Sequence, residues 1–202
     1  EAYKVPVTIL LAKIDLLSEE AIAEFHRVYE GAGYEVIDIS ATQGIGVERV
    51  KAMLSGNTTL LSGNSGVGKS TLLNALFPKL SLDTGKLSEK IARGKHTTRA
   101  VHLFSLAHVS GGRYRGYLAD TPGFSMLDFE HFDFFGLEDL VHTFRDFEPY
   151  LSECRYTDCT HTKEDECGIT RALRDGKISR SRHDSYLNLY QTLKSKPSWK
   201  KG

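Results

Sequence analysis

"LLSGNSGVGKSTLLNAL", Leu60 to Leu76, is the stretch that decides the fold. A short apolar run leads into "GNSGVGKST", and a helix-periodic apolar run leads out. Gly63, Asn64, Ser65, Gly66, Val67, Gly68, Lys69 and Ser70 fit G-x-x-x-x-G-K-[ST] between a strand and a helix, and Thr71 follows directly. Glycines allow successive backbone N–H groups to turn inward around an anion, and the positive end of the following helix adds to that field. Lys69 is spaced to reach the β- and γ-phosphates of a nucleotide, and Ser70 to offer its hydroxyl to Mg²⁺. The stretch predicts a nucleotide site.

Upstream, "VPVTILLAKIDL" reads as a buried strand and "SEEAIAEFHRVYEGAG" as a helix, with Ser18 as N-cap and Gly31 or Gly33 at the stop. "YEVIDISA" is a second strand, "GVERVKAMLSG" a second helix, "NTTLLSG" a third strand and "GKSTLLNALFP" a third helix closed by Pro78. Strand and helix alternate to about residue 80, which predicts a mostly parallel sheet with helices on both faces. Downstream, "AVHLFSLAH" and "RYRGYLADTPG" read as a strand pair around "VSGG". After Phe129 the pattern changes. "HFDFFGLEDLVHTFRDFEPYL" is aromatic-rich and helical, and the C-terminal stretch predicts two helices broken at Gly176. These shifts divide the chain into an α/β domain over 1–130 and a small helical domain over 131–202.

Two further loops complete the nucleotide reading. "YLADTPGF" puts Asp120 at a strand end, where it can hold the Mg²⁺ shell, and Gly123 can offer its N–H to the γ-phosphate. "AKID" resembles N-K-x-D, the tetrapeptide whose Asp reads the guanine N1 and N2 hydrogens and whose Lys packs over the base. Lys13 and Asp15 match, and Ala12 stands where Asn would be. In "DISAT", Ser40 and Ala41 match the S-A loop whose backbone contacts the guanine oxygen. GTPases place these two loops after the phosphate loop; here they come first. Moving them to the front leaves the cycle of motifs consistent, so the chain resembles a circularly permuted GTPase. The new C-terminal end of that domain then follows directly on the D-T-P-G loop.

Cys154, Cys159, His161 and Cys167 form C-x₄-C-x-H-x₅-C and include all three cysteines of the chain. Three thiolates and one imidazole suit a closed tetrahedral Zn²⁺ site, with no position left for a catalytic water, so the expected role is structural. The clustering argues against a secreted disulfide framework and for a reducing compartment, the cytoplasm. Lys plus Arg equal Asp plus Glu at 26 each, so net charge points to neither nucleic acid nor membrane. No apolar run approaches the ~20 residues of a membrane span.

The permuted order, "GKHTTR" after the third helix, and the Cys/His spacing together resemble the ribosome small-subunit-dependent GTPases (the RsgA/YjeQ family). The resemblance runs from Val7 to about Leu193. It implies a P-loop GTPase domain and a C-terminal zinc domain. It also implies an RNA-binding OB-fold ahead of them, so this chain is expected to be a piece of a longer protein. The activity it implies is hydrolysis of GTP to GDP in late maturation of the small ribosomal subunit and its rRNA, by a monomeric factor with Mg²⁺ and structural Zn²⁺. Thr98, rather than Thr97, would bind Mg²⁺ in the switch. The departure at Ala12 removes one side chain near the base and leaves Asp15 to carry guanine selectivity.

The position that holds the water-orienting Gln in GTPases such as Ras is Phe124 here, which has no polar atom. His96, two residues before Thr98, is the candidate to orient that water instead. A rival reading is a P-loop ATPase or kinase-like module with a zinc-stabilised lid. Asp15 separates the two, since its carboxylate pairs with guanine and not with adenine. A third reading makes the zinc region a nucleic-acid finger. The acidic residues within "TDCTHTKEDEC" disfavour it, because a phosphate-facing loop would be basic.

Overall fold

The computed structural model describes residues 5–64, 66–78, 102–120 and 136–195, without the side chains of His102 and Asp120. Among them are five strands: β1 (Thr8–Ala12), β2 (Glu35–Ile39), β3 (Thr58–Leu61), β4 (His102–Ser105) and β5 (Tyr117–Asp120). The α-helices are α1 (Glu19–Gly31), α2 (Val47–Leu54), α3 (Lys69–Leu76), α4 (Leu106–Ser110), α5 (Gly168–Arg174) and α6 (Arg180–Lys194). Strand β1 pairs with β2, and a three-stranded sheet runs in the order β3-β5-β4. Its β3–β5 pairing is parallel and its β4–β5 pairing antiparallel.

The described residues cluster into two compact units that interleave along the chain. Leu10–Ser18 and the stretch from Ile37 onward make one, and Glu19–Val36 joins the C-terminal stretch in the other. In the first, Ile37 and Ile39 of β2, Val47, Val50 and Leu54 of α2, Leu72, Leu73 and Leu76 of α3, and Leu118 of β5 share a core. The spacing of 47, 50 and 54 and of 72, 73 and 76 puts each set on one helical face, as burial requires.

Local chemistry sets the ends of the elements. Helix α1 stops at Gly33, which takes φ 81°. The Gly33 N–H donates to Glu30 O at 2.8 Å and the Tyr34 N–H to Tyr29 O at 3.0 Å, with the Tyr29 and Tyr34 rings 6.5 Å apart. This is the paired bonding and apolar contact of a Schellman stop. The strand pair expected around "VSGG" does form, with His102 opposite Asp120 and Ser105 opposite Tyr117. It is not a tight hairpin, however. "LAHVS" folds into α4, because Leu106, fully buried, and Val109 have helical spacing toward the core.

In the second unit the aromatic segment departs from the single helical run of the sequence reading. Its described part makes two separate 3₁₀ turns, Leu140–Thr143 and Glu148–Glu153. Pro149 has no N–H to extend a helix backward, so it opens a new turn. Leu140, Phe144, Phe147, Ile169, Ala172, Tyr186 and Tyr190 form this unit's core. The break at Gly176, φ 70°, separates α5 from α6 as expected.

Beside that core, the Arg182 guanidinium makes a two-pronged bond to Asp146 at 2.6 and 3.2 Å, with side-chain exposures of 13% and 6%. It lies 4.7 Å above the Phe144 ring, while Arg145 covers Tyr34 at 4.5 Å and donates to Gly33 O. Arg182→Ala is expected to cost about 3–5 kcal/mol by leaving Asp146 buried without its counter-charge, and removing both charges together should cost less. Urea unfolding of the single and double variants checks both statements.

Candidate nucleotide and metal sites

The phosphate loop leaves β3 at Leu61 and ends at Gly68, where α3 begins. Gly66 and Gly68 take φ 79° and 110°, which a side chain would resist. Gly68 is the N-cap and has no side chain, so it makes no side-chain cap for α3, whose N-terminal N–H groups carry the helix's positive end. The Lys69 ammonium folds back over the loop, donating to Gly63 O at 2.5 Å and Asn64 O at 3.0 Å. Ser70 and Thr71 sit half-buried in the first turn of α3, and Val67 is exposed. Ser65 lies outside the described residues.

Parallel pairing of β3 with β5 sets Asp120 beside Leu61, two residues before Gly63. The main chain thus brings the start of D-T-P-G alongside the start of the phosphate loop. Gly123, Phe124, His96, Thr97 and Thr98 lie outside the described residues, as does the Asp120 side chain.

Lys13 ends β1 in a left-handed conformation, φ 61°, and caps a 3₁₀ turn over Ile14–Leu16 that carries Asp15. Its ammonium reaches across 53 residues of sequence to donate to Gly66 O at 2.8 Å. The structure therefore joins the K-x-D loop to the phosphate loop by a direct bond. Asp15 is exposed and has no hydrogen-bond partner among the described residues.

The S-A loop is tied shut by two backbone bonds, Ser40 N–H to Ile45 O and Ile45 N–H to Ser40 O. The buried Ser40 hydroxyl accepts from Gln43 N–H at 3.3 Å and pairs with Thr42 Oγ1 at 3.1 Å. Ala41 packs on the core. Gly46 was not singled out in the sequence, yet a Cβ there would lie 2.2 Å from Asp38 O. The glycine-rich "GIG" after the loop was the available signal.

In the other unit, the donor atoms of Cys154, Cys159, His161 and Cys167 all lie within 4.8 Å of one another. His161 Nδ1 is 3.5 Å from both Cys154 Sγ and Cys167 Sγ, and those two sulfurs are 3.9 Å apart. Zinc bonds of usual length at tetrahedral angles require about 3.6 Å for N···S and about 3.8 Å for S···S. The four residues fit a tetrahedral zinc site. Burial pushes the Cys159 thiol up to about 12, and the neighbouring Cys167 and Cys154 add to the rise. A bound cation would reverse that direction. Burial also lowers His161, which favours the neutral imidazole that a metal needs.

Sequence reasoning missed the supports of this loop. Gly168 donates its N–H to Cys154 Sγ at 3.3 Å, and a Cβ on it would meet Tyr150 O at 2.2 Å. The Glu164 carboxylate accepts from the Thr160 hydroxyl and from the N–H groups of Thr160, Thr162 and Lys163. Burial alone would raise Glu164, but these bonds hold it at about 2. Its support of the loop is therefore complete above the ordinary carboxylate range and is lost as pH falls through about 2. His183 and Tyr186 of α6 bond to the carbonyls of His161 and Thr160.

A family model described as RsgA GTPase matches residues 1–130. The chain belongs to the RsgA GTPase family. Among curated relatives it is 45% identical to the small ribosomal subunit biogenesis GTPase RsgA of Alkaliphilus metalliredigens, over 96% of this chain and 63% of that protein. It is 39% identical to the protein of the same name from Geobacillus thermodenitrificans, over 97% and 64%. Among solved structures it resembles YjeQ from Thermotoga maritima, with TM-score 0.74 and 30% identity over 96% of this chain and 62% of that one. It also resembles YloQ, described as a circularly permuted GTPase, with TM-score 0.67 and 32% identity over 94% and 58%. The permuted reading of the motif order thus has a solved counterpart. This RsgA-family chain spans a little over three fifths of the length of the curated relatives it matches. No helix among its described residues is long and apolar enough to cross a membrane.

Proposed function

We propose that this chain is the nucleotide- and metal-binding part of a GTPase that acts late in maturation of the small ribosomal subunit, with nucleotide state controlling its grip on that subunit. The observation that carries the reading is the bond from Lys13 to Gly66 O, which supports one site made from the base-reading loop and the phosphate loop. Lys13, Asp15, Ser40 and Ala41 face guanine, and Gly63 to Thr71 bind the phosphates. Ser70, Thr98 and Asp120 hold Mg²⁺, which when bound neutralises phosphate charge. Gly123 contacts the γ-phosphate. Cys154, Cys159, His161 and Cys167 hold Zn²⁺ for structure.

The reading includes a GTPase domain over 1–130, which the span of the family match supports, and a zinc domain over 131–202. It also includes a cytoplasmic monomer whose partners are GTP, GDP and the small subunit's rRNA. The relatives' names favour it over the ATPase or kinase-like alternative. Competition against a labelled guanine nucleotide tests it, with GDP expected to displace the label and ADP expected to fail. Displacement by ADP at equal concentration would remove the guanine assignment.

His96 is the proposed water-orienting group, from its sequence position two residues before Thr98. His96→Ala is expected to slow single-turnover GTP hydrolysis in the presence of small subunits at least about tenfold, ~1.4 kcal/mol of barrier, with GTP binding nearly intact. Parent-like hydrolysis in that variant assigns the water to another group.

A further inference from the structure

Helix α6 presents two nearly buried side chains, His183 at 5% exposure and Tyr186 at 2%, one turn apart. They bond to two consecutive carbonyls of the metal loop. His183 Nε2 lies 2.9 Å from His161 O, and the Tyr186 hydroxyl donates to Thr160 O at 2.9 Å. A carbonyl can only accept, so the bond assigns the His183 proton to Nε2. The two carbonyls belong to the residues that follow Cys159 directly. At the second of them the backbone takes φ 56°, a left-handed conformation that a side chain disfavours. In that conformation His161 Nδ1 sits 3.5 Å from two thiol sulfurs. Phe144 and Phe147 pack around the Tyr186 ring with centroids at 5.4 Å, and the Tyr186 ring meets the His161 imidazole edge-on at 6.3 Å.

We propose that His183 and Tyr186 are positioning residues for the metal site, holding the main chain at Thr160 and His161 so that the imidazole and the Cys159 sulfur converge with the other two thiols. The proposal rests on Cys154, Cys159, His161 and Cys167 being the metal ligands. It extends that ligand set to a helix that begins thirteen residues after the last ligand and contributes no donor atom of its own. Groups that orient metal ligands in this way set affinity as well as fold, since a ligand that must find its own position binds more weakly.

The test uses the 202-residue chain loaded with zinc. Tyr186→Phe removes one oxygen and keeps the packing, His183→Phe removes the donor and keeps a ring, and His183→Gln restores an N–H donor. Zinc affinity is read by competition with a chromophoric chelator, the geometry by the visible ligand-field bands of the cobalt-loaded protein, and stability by melting of the metal-free chain. Tyr186→Phe and His183→Phe are expected to weaken zinc binding about 10- to 100-fold and to change the cobalt bands, with His183→Gln recovering most of the loss. Variants with parent-like zinc affinity and cobalt spectrum overturn the proposal, including the case where only metal-free melting falls, because that marks plain packing. A parent chain that binds no zinc at all overturns the ligand assignment itself, a distinct result from failure of the positioning role.

Discussion

Cys167→Ser is expected to release zinc and to lower the melting temperature of the C-terminal unit by about 15 °C or more, with guanine-nucleotide affinity nearly unchanged. Cys167 is fully buried among Ile169, Phe147 and Ala172, and its sulfur lies 3.5 Å from His161 Nδ1. A serine oxygen is shorter and does not ionise to a soft ligand, so the fourth bond is lost while a polar group stays in the core. Structural zinc contributes on the order of 10 kcal/mol in domains that have little else. This unit also has its aromatic core, so a loss of about 3 kcal/mol or more is the expected scale, and each kcal/mol moves a domain of this size by about 4–8 °C. Zinc content and calorimetry of the purified variant check it. One retained equivalent of zinc with unchanged melting would contradict the assignment. Chelation of the parent protein should reproduce the shift without any mutation.

Asp15→Asn is expected to cut GDP affinity on the order of 10³-fold and to shift preference toward xanthine nucleotides. A carboxylate accepts both the N1 and N2 hydrogens of guanine, and an amide puts a donor where one of those hydrogens must go. Sites built to match a hydrogen-bonding edge discriminate by several orders of magnitude, because a mismatched polar group is left unpaired. Asp15 is exposed on a short 3₁₀ turn and has no protein partner among the described residues, so the substitution should leave the fold intact. Affinities for GDP and XDP measured on one folded preparation test the exchange. Equal GDP binding by parent and variant would take Asp15 out of the pocket.

Much of the nucleotide unit was legible because its signals are local. The glycines of 63–68 and the strand and helix around them sit between Thr58 and Leu76, and the K-x-D and S-A loops each directly follow their own strand. The cluster of Cys154, Cys159, His161 and Cys167 was legible for the same reason, since cysteine and histidine at close spacing admit few readings, and the structure brings their donor atoms together. The departures come from tertiary context. "LAH" reads as the end of a strand and "VSGG" as its turn, but with Leu106 fully buried the stretch Leu106–Ser110 is helical. Pro149, which opens the second 3₁₀ turn, was visible in the sequence, yet the first turn and the burial of Phe144 and Phe147 between the two were not. Gly46 is fixed by the approach of Asp38 O, eight residues away and across a turn. His183 and Tyr186 carry no signature in "SRSRHDSYLNLY", because their carbonyl partners lie 22 and 26 residues upstream. Likewise, no sequence pattern assigns Glu19–Val36 to the same compact unit as the C-terminal stretch. That grouping rests on contacts such as Arg145 with Gly33 and Tyr34.

The most direct test of the central claim is co-sedimentation of the full-length protein with purified small ribosomal subunits, in a non-hydrolysable GTP analogue and in GDP. The account predicts strong retention with the GTP analogue, marked loss with GDP, and no retention promoted by the corresponding ATP analogue. Equal sedimentation in all three conditions would contradict nucleotide control of the ribosomal grip.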